Sequence, residues 1–178
     1  MNLQIDIKID IEDEPAINLV DIKFWLNKAF EASGFKKDAE VSVIIVDEIA
    51  IKRLNKKFRQ QDRSTNVLAF PAGFIEGLPD DFCTHLGDII ICSTIISREA
   101  KEQNKDVIDH WAHILVHGML HLLGFKHTNN AEAANMEFLE NGNFNGIKFL
   151  GKRRVYNGYL NKEQSWKEYQ QWAEINIY

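Results

Sequence analysis

Apolar residues recur at two different spacings along the first part of the chain. Between residues 3 and 9 they alternate with polar residues, which predicts a half-buried strand. From about residue 16 the apolar positions, including Val20, Phe24 and Phe30, follow a helical spacing up to Gly34, a residue type that commonly ends helices. The β-branched segment 41–46 then predicts a second strand.

A short helix is predicted directly after this strand. Asp47 is placed to cap its N-terminus, and Ile51, Leu54 and Phe58 lie on the face that we expect to be buried. Further along, the same patterns predict strands over 67–70 and 86–92. Ser93 or Thr94 can cap a helix that continues to about 103, and further helices are predicted from 107 to 123, with Gly124 as the stop, and over 132–139.

Strands and helices mixed in this order predict an α/β or α+β fold, in which helices cover a small mixed sheet in a single layered domain. A chain of 178 residues is long enough for one buried core. We assign residues 1–140 to this domain. Residues 141–178 form a C-terminal extension in which Trp166, Tyr169 and Trp172 share a helical face, so we expect a helix docked on the domain.

Charge and cysteine content narrow the possible partners and compartment. A net charge of −5 argues against binding nucleic acid by bulk attraction, so any such site must be local. Cys83 and Cys92 form neither a CxxC pair nor a disulfide framework, which indicates reduced structural thiols. No apolar stretch approaches the roughly 20 residues of a membrane span, and the acidic start lacks the features of a secretory signal. We therefore expect a cytoplasmic protein with no membrane partner.

Three histidines carry the strongest chemical signal. His117 and His121 are four positions apart, so they project from one helical face and can both reach an ion about 2 Å from each ring nitrogen. Gly124 then allows the chain to turn back, so that His127 can join them. Three imidazoles suit zinc and leave a fourth position open for water, as in catalytic sites, so we expect one zinc ion per chain. His113, one turn before His117, either supports a metal ligand, faces the substrate or is simply exposed.

The spacing HxxxHxxGxxH also occurs in metallopeptidases of the HExxHxxGxxH type. Those enzymes place a glutamate directly after the first histidine as the general base. This chain has Gly118 at that position. A zinc metallopeptidase is therefore an alternative and not the preferred function.

A local group of basic residues contrasts with the acidic total. Between residues 51 and 63, six basic residues accompany a single acid, Asp62. Lys52 and Lys56 share one face of the short helix and lead towards Arg59, so Lys56 is a candidate substrate-binding residue. The alternative is an ordinary solvated helix face.

Three segments resemble the YbeY family of bacterial rRNA-maturation endoribonucleases. The segment LNKKFRQQDRSTNVLAFP (54–71) is similar to the family pattern of LN, an arginine and TDVLSFP. LGDIIIC (86–92) is similar to LGDI followed by apolar residues, and VHGMLHLLGFKH (116–127) is similar to VHGxLHLxGYDH. The order and spacing of the segments also match, over about residues 1–140.

This resemblance implies a zinc-dependent, single-strand-specific endoribonuclease that matures ribosomal RNA, notably the 3' end of small-subunit RNA, and acts in ribosome quality control. The implied partners are single-stranded RNA and the ribosome or its small subunit. The family's zinc ligands match His117, His121 and His127, and its catalytic arginine matches Arg59. Asp88 matches the LGD aspartate, for which we favour a turn or a hydrogen-bonding role.

The chain departs from the family pattern at three positions. Asn66 and Ala69 replace an aspartate and a serine, and Lys126 replaces the aspartate before His127. The roles of those two carboxylates therefore do not carry over to this chain. A zinc-binding, ribosome-associated factor without turnover is a second alternative, which cleavage of a defined single-stranded RNA would separate from a nuclease.

Overall fold

The computed structural model describes residues 2–73 and 83–125. Four strands and four helices form the described part of the chain: β1 (Leu3–Asp10), α1 (Leu19–Ser33), β2 (Ala39–Val46), α2 (Glu48–Arg59), β3 (Val67–Pro71), β4 (Thr84–Cys92), α3 (Ser93–Glu102) and α4 (Val107–Leu122). The predicted helix over 132–139, the docked helix within 141–178 and His127 lie outside the described residues.

The strands form one mixed sheet in the order β1-β2-β4-β3. β1, β2 and β4 run parallel to one another, and β3 pairs antiparallel with β4 at the edge of the sheet. The fold class is thereby confirmed as a layered α+β domain with a small mixed sheet and covering helices.

The alternation of side chains along β2 divides the interior into two clusters. Val41, Val43 and Ile45 point into the main core, which α1 and α4 cover. Val46 points to the opposite face, where Ile51 of α2 packs in a smaller cluster. Successive residues of a strand face opposite sides of the sheet, so one β-branched segment serves both layers.

Helix α1 begins later than the apolar spacing predicted. Asn18 caps it by accepting a hydrogen bond from the backbone N–H of Val20 at 2.9 Å. Val20 is 69% exposed and Phe24 is 50% exposed, so neither belongs to the buried face. That face is a single stripe at helical spacing, formed by Ile22, Trp25, Leu26, Ala29 and Phe30.

The expected burial of Phe58 was wrong, although the start of α2 was predicted correctly. Asp47 caps α2 by accepting a hydrogen bond from the N–H of Ala50 at 2.6 Å, and Ile51 is fully buried. Phe58, in the last turn, is 55% exposed. Its ring packs against Phe70 of the edge strand β3, because the final turn of α2 lies near the margin of the sheet.

Two smaller sequence expectations also need correction. Cys92, and neither Ser93 nor Thr94, occupies the N-cap position of α3, and no side chain caps that helix. Asp88 lies within β4 opposite Ser42 and Phe70, so it is not in a turn. The glycine before it is required by close packing, because a Cβ atom on Gly87 would lie 2.1 Å from the carbonyl oxygen of Phe70, and its φ is +128°.

Helix α4 runs through the middle of the domain. It contacts α1, α3, β3 and β4, and most of its side chains are buried. None of the helices in residues 2–73 and 83–125 combines the length and the hydropathy needed to cross a membrane.

Candidate active site

His117 and His121 lie in the last two turns of α4 and face the same point. Their Nε2 atoms are 2.9 Å apart, and their ring planes meet at 86°. His117 is 8% exposed, so its ring is held by the surrounding fold. The next turn back carries His113, whose ring lies 6.2 Å from that of His117.

This geometry fits two ligands of one metal ion. Two nitrogens bound to a tetrahedral zinc ion at its usual bond length lie roughly 3.3 Å apart, so small ring rotations would seat an ion between these histidines. Gly124 adopts a φ of +87° just after α4, which turns the chain away from the helix axis. Residues 2–73 and 83–125 contain no complete group of three metal-binding side chains, and the third expected ligand, His127, lies outside them.

Both histidines open into a cleft of about 780 Å³. Its walls come from the end of α2, the loop 60–66, β3, α3 and α4. The charged and polar side chains that line it include Arg59, Arg63, Asn66, Glu99, His117 and His121. The fold therefore gathers residues that are far apart in the sequence around the histidine pair.

Arg59 shares this cleft with the two histidines. It is the last residue of α2. Lysines and arginines near a helix C-terminus are favoured by the partial negative charge of the last carbonyls. Its side chain is exposed to the cleft, where a guanidinium group can engage two oxygens of a phosphate.

Lys56, the candidate substrate-binding residue, faces a neighbouring groove with Lys52 and Arg53. Its Nζ atom lies 2.7 Å from a carboxylate oxygen of Asp62, and Lys52 approaches the same carboxylate at 3.7 Å. The hydrogen bond from Lys56 lowers the pKa of Asp62 below its ordinary range. A contact between Lys56 and substrate remains a prediction.

A polar network that the sequence did not indicate lies beside the cleft. Glu99 of α3 accepts a hydrogen bond from the Asn66 side chain at 3.0 Å, through the same carboxylate oxygen that lies 2.7 Å from Nε2 of His110. His110 is only 2% exposed and Asn66 is 9% exposed. Asn66 replaces the aspartate of the family pattern, and here its amide supplies the donor that a carboxylate would lack.

The loop 60–66 is held by side chains of α2 and, at Asn66, by Glu99 of α3. The Asn55 side chain, which is buried in α2, donates to the carbonyl oxygen of Arg63 at 2.8 Å. Glu48 accepts a hydrogen bond from Ser64 at 2.8 Å and two from the Arg98 guanidinium at 3.1 Å. Asn55 belongs to the LN pair of the first sequence segment, and its role is to hold this wall of the cleft.

Gly118 lies on the side of α4 that packs against the sheet. A Cβ atom at this position would be 3.2 Å from Cγ2 of Ile89 and 3.6 Å from Cγ2 of Val67. A glutamate would have to displace both neighbours. The packing thus gives a physical reason for the glycine that follows the first histidine.

The comparisons with known proteins point to one family. The family model described as endoribonuclease YbeY matches residues 6–148. The protein named endoribonuclease YbeY from Wigglesworthia glossinidia brevipalpis is 41% identical over 161 residues, which cover 90% of this chain and 97% of that protein. Its namesake from Halorhodospira halophila is 47% identical over 116 residues, which cover 65% of this chain and 74% of the relative.

One solved structure also has a similar fold. The solution structure of TM1509 from Thermotoga maritima is 29% identical to this chain and superposes with a TM-score of 0.50. The match covers 76% of this chain and 87% of the other.

Proposed function

Because the chain belongs to the endoribonuclease YbeY family, we propose that it is a zinc-dependent, single-strand-specific endoribonuclease that matures ribosomal RNA. The observation that supports this most directly is the position of Arg59 in the same cleft as the converging pair His117 and His121. A guanidinium group that can bind a phosphate, beside a pair of metal ligands, suits metal-dependent cleavage of a phosphodiester.

Zinc would be held by His117 and His121, with His127 as the proposed third ligand. The two Nε2 atoms converge to 2.9 Å, so small ring rotations bring them to the roughly 3.3 Å of two zinc-bound nitrogens, and the imidazole chemistry of both groups suits that ion. When bound, zinc supplies Lewis-acid chemistry at the scissile phosphate and lowers the pKa of water.

The chain's own residues position the substrate. Arg59 binds the non-bridging oxygens of the scissile phosphate and stabilises the charge that grows on them in the transition state. Arg63, on the fixed loop 60–66, faces the same cleft and is placed to bind an adjacent phosphate. The Glu99 network keeps the loop end at Asn66 in place beside α4.

We propose the small-subunit RNA, at its 3' end, as the substrate, with the cytoplasmic ribosome as the setting and quality control of ribosomes as a further role. In cells without the protein, small-subunit RNA with an unprocessed 3' end should accumulate. Wild-type protein should restore processing and Arg59→Ala should not. Normal 3' ends in the deficient cells would contradict the assignment of this RNA.

The catalytic proposal is tested on a defined single-stranded RNA in single-turnover conditions. Arg59→Ala should reduce the cleavage rate by roughly 10- to 1,000-fold, as for the loss of one well-placed electrostatic stabiliser, and should leave zinc content and folding intact. Arg59→Lys should restore the rate only in part, because the ammonium lacks the planar fork of guanidinium.

The matched control is Arg53→Ala, which removes the same type of side chain from the same helix but from the neighbouring groove. It should cleave at nearly the wild-type rate. Equal rates for the two alanine variants would defeat the catalytic role of Arg59. Zinc-bound protein that binds RNA without any cleavage would instead support a ribosome-associated factor without turnover.

A further inference from the structure

Phe58 is an exposed aromatic ring at the rim of the cleft. It is 55% exposed, lines the cleft and directly precedes Arg59 in the last turn of α2. Burial of its ring in the protein core is the ordinary fate of a phenylalanine. The position of Phe58 at the margin of the sheet leaves its ring accessible beside the arginine that we propose to bind phosphate.

Two contacts fix the orientation of this ring. Phe70 of β3 packs against it with ring centroids 5.1 Å apart and planes at 64°. The Nζ atom of Lys57 lies 5.0 Å from the centroid of the Phe58 ring, within the range of a cation–π contact. The ring is therefore supported from the sheet by Phe70, and Phe58 as a residue remains 55% exposed. The Lys57 side chain over the ring is itself exposed, so it can move aside when a base stacks.

We propose that Phe58 is a stacking platform for one unpaired base of the RNA, next to the nucleotide whose phosphate Arg59 binds. This inference rests on the proposed function and adds the contact that selects single strands. Proteins that bind single-stranded nucleic acid combine cationic side chains along the backbone with aromatic rings on which bases stack. Phe58, with Arg59 beside it and Lys57 above it, is such a combination on one helical turn.

The platform discriminates between strands by geometry. In a duplex both faces of each internal base are covered by its neighbours, so only an unpaired base can place a face on the ring. Stacking is also tolerant of sequence, because every base has a π-face. Selection for single strands then needs no contact to a base edge.

The test is binding of a short single-stranded RNA by the full chain, measured by stopped flow before cleavage. Phe58→Ala should weaken binding by about 5- to 150-fold, the usual effect of removing one stacking contact, and should leave duplex binding unchanged. Phe58→Tyr and Phe58→Trp should keep the wild-type affinity. Phe58→Leu keeps an apolar contact with Phe70 but has no π-face, so it should bind like Phe58→Ala.

A second measurement identifies the stacked base. An RNA with one abasic position, moved along the strand, should bind wild type more weakly at a single position, and Phe58→Ala should not sense that position. The control is Phe24→Ala, which removes a ring that is 50% exposed on α1, and it should bind as wild type does.

The two proposals fail in different ways. If wild type neither binds nor cleaves single-stranded RNA, the proposed function falls and the stacking platform falls with it. If wild type does both and Phe58→Leu binds as tightly as wild type, only the platform is overturned. Reduced thermal stability of Phe58→Ala with unchanged RNA binding would also overturn it, since the ring would then serve the fold alone.

Discussion

At the scale of single residues, Glu99 joins two buried polar groups through one carboxylate oxygen. Asn66 belongs to the loop wall and His110 to the buried side of α4, so this oxygen ties three elements together. A buried donor that loses its partner costs its full desolvation energy, which is larger than the gain from the bond itself. Loss of Glu99 should therefore cost more through the buried groups that it leaves unpaired than through the strength of each hydrogen bond.

Glu99→Ala should lower the free energy of unfolding by about 1–3 kcal/mol, because it leaves Asn66 and His110 without this acceptor. Glu99→Gln should lose less, since its amide still offers an oxygen to Asn66. The control is Glu102→Ala on the same helix and in the same cleft, for which we expect a change within about 0.5 kcal/mol. Chemical denaturation measures all three, and equal losses at 99 and 102 would contradict the role of the network.

The residues that could be predicted from the sequence are those whose signal is local. His117 and His121 lie four positions apart on one helix, and the fold does bring Arg59 into their cleft. Glu99 and His110 could not be found, because their contact depends on how α3 packs against α4. Phe58 was misjudged because helical spacing gives the direction of a side chain but not where the covering sheet ends.

At the scale of elements, Glu48 links the start of α2 to α3 across the loop 60–66. The hydrogen bonds from Arg98, which has the larger effect, and from Ser64 lower the pKa of the Glu48 carboxyl below its ordinary value of 4.5. A group whose pKa is lower in the folded protein stabilises the fold above its unfolded pKa, and that contribution is lost as the pH falls through the folded pKa.

Glu48→Gln should lower the melting temperature at pH 7 by no more than about 4 °C, because the Glu48 side chain is 40% exposed and solvent weakens the pair. The difference from wild type should disappear once the pH is low enough to protonate the carboxyl in the folded protein. Thermal unfolding of Glu48→Gln, Arg98→Gln and the double variant gives the coupling between them. If the coupling free energy stayed the same when the pH was lowered, the charged pair could not be its source.

Helix α4 excludes the carboxylate that a peptidase would need. Gly118→Glu should be destabilised by about 1–3 kcal/mol, because even a Cβ atom would lie 3.2 Å from Ile89. Gly118→Ala adds only that atom and gains helix propensity, so its stability should stay near that of wild type. Neither the two variants nor wild type should hydrolyse peptides. Zinc-dependent peptide hydrolysis by wild type that is lost in His117→Ala would instead favour the peptidase function.

Most element positions followed from periodicity and capping, while their ends and partners did not. Asp47 and the strand 41–46 were located because cap and β-branched signals are local. The start of α1 was placed too early, since residues before the Asn18 cap have the same apolar spacing. The pairing of β3 with β4 and the order of the strands depend on long-range contacts that the periodicity of one chain does not contain.

At the scale of the whole molecule, zinc should couple to stability. The purified protein should hold about one zinc ion per chain, and His121→Ala should hold none, because two imidazoles rarely retain zinc against water. Removing zinc with a chelator should lower the melting temperature of wild type, as loss of any ligand of the folded state does. His85→Ala is the control, since His85 lies at the start of β4 in an exposed pair with Glu40. Protein that takes up no zinc would remove the metal proposal.

The affinity for RNA should depend only weakly on salt concentration, because few cationic side chains are proposed to contact phosphates. The net charge is −5, and the cationic groups proposed to bind phosphate are Arg59 and Arg63. Each phosphate contact on a single strand contributes about 0.7 to the slope of log affinity against log salt, so we expect a slope near −1.4. Arg59→Ala should reduce its magnitude by about 0.7. A slope several times steeper in wild type would indicate a much larger basic surface.

The edge strand β3 affects how readily the protein aggregates in solution when no RNA is bound. Within the described residues, one side of β3 pairs with β4, and all five of its residues line the cleft. An open strand edge is a template on which another chain can add a strand and begin aggregation. The shortness of β3 and its terminal Pro71, which has no N–H to donate, limit that pairing. RNA bound in the cleft would cover the same edge, so we expect the substrate also to protect the protein from aggregation through β3.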